Sequence, residues 1–132
     1  MRFLFDANAV IALLNDPHGP VAQQARQYRP ADIGLPAIVS HELYFGAFKS
    51  QRRDHNLSIV DGLQFEVVPF DCEDARHAGD VRAALSALGT PIGPYDVLIA
   101  GQARSRGLVL VSRNLREFQR VEGLSVENWE DI

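Results

Sequence analysis

The sequence predicts an α/β domain: a mainly parallel sheet of about five strands with helices on both faces. Three observations carry this. Short runs of β-type residues alternate with helical patterns along the 132 residues, the order that joins parallel strands through crossover helices. No repeat, linker or low-complexity tract interrupts the alternation, so residues 1–132 are expected to form a single domain. An apolar content of 46% and a charged content of 23% are ordinary for a globular protein.

The elements follow in order. Strands are expected over Arg2–Phe5, Asp32–Leu35, Glu66–Phe70, Leu108–Ser112 and Leu124–Glu127. Helices are expected over Ala9–Asn15, Val21–Tyr28, Ile38–Ser50, Asn56–Gly62, Cys72–Leu88, Pro94–Arg106 and, briefly, Leu115–Arg120. Several boundaries have local causes. Asp71 followed by Asp74 resembles a capping box for the long helix after it, and Gly89-Thr90-Pro91 stops that helix. Pro94 is preset for a first helical turn, and Gly107 can take the left-handed conformation after the last one.

Composition narrows the setting. The single cysteine, Cys72, excludes an internal disulfide and fits a reducing cytosol. Met1–Phe5 meets Asp6 before an apolar leader can form, and the run Ala9–Leu14 is too short to span a bilayer. A soluble cytoplasmic protein with no membrane partner is expected. The net charge of −4 argues weakly against nucleic acid, but twelve of thirteen cations are arginine, whose planar fork suits phosphate. Arg104, Arg106, Arg113, Arg116 and Arg120 crowd one stretch, and Lys49, Arg52 and Arg53 another. Solvated helix faces or a rim for a phosphodiester would both produce this pattern.

Four polar residues stand where elements begin or end: Asp6, Glu42, Asp96 and Asn114. Singly, each has a plain structural reading. Asp6 or Asn8 can cap the first helix. Asp96 can gain from the dipole of its own helix, although Ile99, Ala100 and Ala103 place it at the head of a buried stripe. Asn114 with Glu117 looks like another capping box, and Ser112 can cap the same helix or hold a metal-bound water. Glu42 is harder to dismiss, because it borders the apolar stripe Val39-Leu43-Ala47, and Gly46 one turn on leaves room for another backbone or a ligand. Together these positions gather at the rim where α/β sheets bind ligands. Two carboxylates about 5 Å apart repel by roughly 3 kcal/mol at an effective dielectric of 20. A third either raises a pKa or recruits a cation, and all-oxygen ligation selects Mg²⁺ or Mn²⁺. Other chemistries lack their residues. His18, His41, His55 and His77 have no metal-ligand spacing, and there is neither a phosphate loop nor a nucleophile elbow.

The order Phe5-Asp6-Ala7-Asn8, Val39-Ser40-His41-Glu42-Leu43 with Gly46-Ala47, the block Pro91 to Ala103, and Val111-Ser112-Arg113-Asn114-Leu115-Arg116-Glu117-Phe118 resembles the PIN domain, and within it the VapC-type toxins. The likeness spans Met1 to about Trp129. It implies a three-layer α/β/α fold and a Mg²⁺- or Mn²⁺-dependent endoribonuclease. Asp6 and Asp96 carry over as metal-binding acids, Glu42 completes the triad, and Asn114 falls where the family places a fourth Asp or Asn. The family's first motif is usually Asp-Thr-Asn, and Ala7 removes that hydroxyl but no metal ligand. Arg104, Arg113 and Arg116, with Ser112, are expected substrate contacts. The resemblance also implies an RNA substrate (tRNA among them), a homodimer, and inhibition by a VapB-type antitoxin through which any DNA contact is indirect. Two other classes stay open: a PIN-like module without catalysis, and a receiver domain phosphorylated at Asp71.

Overall fold

In a computed structural model of the protein, which describes residues 1–130, five strands form one fully parallel sheet. They are β1 (Phe3–Phe5), β2 (Ile33–Pro36), β3 (Glu66–Val68), β4 (Val109–Val111) and β5 (Val126–Glu127), in the spatial order β3-β2-β1-β4-β5. All five expected strands are present; four are shorter than expected, and β2 is shifted one residue on, losing Asp32 to the turn before it and gaining Pro36, which pairs with Val68. The helices are α1 (Ala7–Asn15), α2 (Pro20–Ala25), α3 (Ala37–Lys49), α4 (Arg53–Asp61), α5 (Cys72–Ala87), α6 (Pro94–Arg106) and α7 (Leu115–Phe118), and they cover the sheet in an α/β/α arrangement. A single 3₁₀ turn, Pro30–Asp32, leads into β2.

Strand β1 is the axis of the molecule. Leu4 and Phe5 are fully buried and Phe3 nearly so, as a central parallel strand covered on both faces requires. Leu4 pairs with Gly34 on one side and Leu110 on the other. The chain builds outward from β1 through β2 to β3, then crosses over to β4 and builds outward again. Its order therefore reverses between β1 and β4, the switch point outside whose carboxyl ends α/β sheets place their ligands. A receiver-type sheet instead sets β1 between β2 and β3, so the strand order removes that alternative.

Two contacts fix the frame around this point. Trp129 returns beneath the sheet, with ring centroids 4.9 Å from Phe3 and 5.3 Å from Phe5, and stacks on Tyr28. Helix α6 lies directly on α5: a Cβ added at Gly101 would sit 2.6 Å from the Ala78 backbone, so only glycine permits the crossing. Gly46, by contrast, faces open space, and no close approach there demands a glycine. Asp71 and Asp74 form the expected capping box, their side chains accepting each other's amides at 3.0 and 2.9 Å. Gly107 ends α6 at φ 65°.

Candidate active site

The site is built from loop and helix ends at the carboxyl edge of β1 and β4. Asp6 follows β1 directly and is 6% exposed. Its Oδ1 accepts the Ala9 amide at 2.9 Å, so it is the N-cap of α1 as well as a carboxylate at the sheet rim. Ser112 follows β4, is buried, and hydrogen-bonds to Asp6 through its side chain. Ser112 Oγ also accepts the Asn114 amide at 2.9 Å. The two strand ends are thereby locked together. Burial pushes the Asp6 carboxyl above the usual range, opposed by the Ser112 hydroxyl, the Ala9 amide, the charge of Arg113 and the Asn8 amide.

Glu42 and Asp96 come from opposite helices. Glu42 is half-buried in mid-α3, beside the stripe Val39, Leu43 and Ala47, which is buried as expected. Asp96 is the third residue of α6, at the head of the buried stripe Ile99, Ala100 and Ala103. Gly93 gives its carboxylate space, since a Cβ there would stand 3.2 Å from Asp96 Oδ2. Glu42 is raised by burial first, then by the charges of Asp96 and Asp6, with His41 opposing. Asp96 is raised by burial first, then by Glu117 and Asp6. Four carboxylates from four separate elements thus share one field. Among the described residues they are not drawn into a ready-made metal cage. Their donor set is nonetheless all oxygen, and their mutual repulsion is what a divalent cation relieves.

The structure sorts the other expected residues. Asn114 does not cap α7 with its side chain. Its Nδ2 donates to Glu117 Oε2 at 2.9 Å, so the expected capping box is replaced by a side-chain pair that holds Glu117 toward Asp96. Glu117 is the acid that sequence reasoning passed over as a cap. Its signal was present in the three-residue spacing from Asn114, but only the placement of α7 distinguishes the two uses. Arg113 and Arg116 are exposed at this rim, and Arg113 lies 4.0 Å from Glu130. Arg104 is not brought to the acids. It sits eight residues beyond Asp96, about 12 Å along the helix, where its guanidinium donates to His77 Nδ1, His77 O, Asp80 and the Glu122 carbonyl.

Comparison with known proteins agrees with this geometry. The PIN domain family model matches residues 3–124. The chain is 38% identical to a tRNA(fMet)-specific endonuclease VapC of Salmonella typhimurium, with 98% of each chain covered. It is 37% identical, with the same coverage of both, to the enzyme of that name from Shigella flexneri. Its fold superposes with a TM-score of 0.92 on a chain from the crystal structure of DNA-bound VapBC from Salmonella typhimurium, 38% identical over 98% of both chains. Together with the acids gathered at the sheet's switch point, these likenesses show that the chain belongs to the PIN-domain family and, within it, to the VapC ribonucleases.

Proposed function

We propose that this protein is a Mg²⁺- or Mn²⁺-dependent endoribonuclease toxin that hydrolyses RNA phosphodiester bonds. The observation that carries the reading is the mutually repelling set of buried Asp6 and half-buried Glu42 and Asp96, with Glu117 beside it. A cluster of acids with raised pKa values in a rim crevice is the pattern of a working site rather than of a stabilising one.

Asp6 and Asp96 would hold the cation, with Glu42 and Glu117 completing the oxygen set directly or through water. When bound, the ion supplies a bound water of lowered pKa and neutralises charge on the scissile phosphate. The protein's own residues do the rest. Ser112 and the Ala9 amide fix the Asp6 carboxylate in one orientation. Glu42, less acidic than a free glutamate, is suited to take the proton of the attacking water. Asn114 steers Glu117. Arg113 and Arg116 are the phosphate contacts, while Arg104 acts in the frame. Likeness to the tRNA(fMet)-specific enzymes supports tRNA as substrate. Likeness to the DNA-bound VapBC complex supports a VapB-type antitoxin as partner, with DNA contacted through it; inhibition by that antitoxin and a homodimer are part of the same proposal.

The test sets purified wild type beside Asp96→Asn on tRNA and total RNA, with Mg²⁺ or Mn²⁺ added or chelated. Discrete cleavage by wild type alone, dependent on the metal, is expected. Intact RNA with both proteins would favour a PIN-like module that only binds its partner.

A further inference from the structure

Two ring side chains precede two of the acids in the chain, and the proposed hydrolysis gives neither ring a contact with the RNA. His41 precedes Glu42 on α3, and Tyr95 precedes Asp96 on α6. Their rings meet edge to face, with centroids 5.4 Å apart and planes at 64°. His41 is exposed, and Tyr95 keeps 48% of its surface open. The contact bridges the two helices that bring Glu42 and Asp96 together. Tyr95 also borders a groove of about 690 Å³ between α5 and α6, lined by Ile92, Val97 and Leu98 among others. The tyrosine ring is therefore braced by His41 while it still borders open space.

We propose that His41 and Tyr95 form a stacking platform that seats an unpaired nucleobase beside the scissile phosphate and so selects the bond that is cut. The inference rests on the nuclease reading of the same rim. Sequence-selective RNA recognition works largely on unstacked bases laid against Tyr, Phe, Trp or His rings. Tyr95 directly precedes Asp96 and His41 directly precedes Glu42, so the ring pair is carried by the same two helix segments that carry the acids. Stacking of one base contributes roughly 5- to 150-fold in affinity. The histidine contact keeps the tyrosine from rotating away and adds a polar nitrogen at the platform's margin.

The test places 2-aminopurine at successive positions of a single-stranded oligoribonucleotide and reads its quenching on binding, before cleavage. Wild type and Tyr95→Phe are expected to quench one position adjacent to the cut. Tyr95→Ala is expected to lose that quench, raise KM about tenfold with little change in kcat, and spread cleavage over neighbouring bonds. His41→Ala is expected to weaken the quench and spread the cut to a smaller degree. Both side chains are exposed, so neither change removes core packing. Unchanged quenching and cleavage pattern in Tyr95→Ala and His41→Ala would overturn the platform while leaving the nuclease intact. A site-specific quench in wild type, retained in Asp96→Asn, with no cleavage by either, would keep the platform and sink the hydrolytic reading instead.

Discussion

Asp6 shows how one residue serves structure and chemistry together. It caps α1 through the Ala9 amide and still presents a carboxylate at the rim, so the capping and catalytic explanations do not compete. Its substitution should separate them. Asp6→Asn keeps an N-cap acceptor, and activity should fall by more than about 100-fold as the metal set is lost. Stability should move the other way. Asp6, Glu42 and Asp96 all have raised pKa values, so the folded state binds protons more tightly than the unfolded one. The metal-free protein therefore loses stability as pH rises from the ordinary carboxylate range through these raised values, and the loss is complete above them. Glu42→Gln should raise the metal-free melting temperature at pH 7, by about 3–5 °C per kcal/mol of repulsion relieved, and remove part of that pH dependence. Calorimetry at pH 4 to 8 in chelator checks both. Glu117→Gln should cut metal-dependent cleavage and lessen the upward push on Asp96, whereas a mere cap would affect only helix stability.

At the scale of elements, α6 does two jobs with its two ends. Its first turn carries Tyr95 and Asp96, and its last turn carries Arg104 and Arg106, both braced against α5. Arg106 grips the buried Asp74 at 2.9 and 3.2 Å and also donates to the Pro69 carbonyl. Burial alone would raise Asp74, but the Arg106 hydrogen bonds and the Asp71 amide outweigh it and hold the carboxyl low. Removing Arg106 strands that charge, so Arg106→Ala should destabilise by about 2–4 kcal/mol in urea unfolding. Gly101→Ala should cost about 1–3 kcal/mol or more, because its methyl meets backbone that cannot step aside. In both variants cleavage should weaken with stability, since Asp96 is positioned by a helix whose seat has shifted. Gln102 supplies the third tie, donating from α6 to the carbonyls of Val68 and Pro69 at the end of β3. These ties place arginines of the basic stretch in the frame rather than on a phosphate.

At the scale of the whole molecule, the parallel sheet turns distant residues into neighbours by ending every strand at one edge. An ion bound there should stabilise the fold by mass action, about 2.7 kcal/mol at a hundredfold excess over its dissociation constant. Mn²⁺ titration followed by thermal melting should show that shift in wild type and not in Asp96→Asn. The elements were legible because their causes are local: alternating patterns, the Asp71–Asp74 box, Pro94 at a helix start and Gly107 at its end. The family likeness was legible because its motifs keep their order along the chain. What could not be read was which polar residues of a motif face the acids. Sequence fixed neither the turn of Arg104 toward His77 and Asp80 nor the pairing of Asn114 with Glu117, since both depend on how α5, α6 and α7 pack. The sequence by itself determined a parallel α/β domain with acids at its element ends, through periodicity and capping that act over a few residues. Only the tertiary structure decided that Asp6, Glu42, Asp96 and Glu117 share one field, because Coulomb repulsion and burial depend on distances through space that chain spacing does not encode.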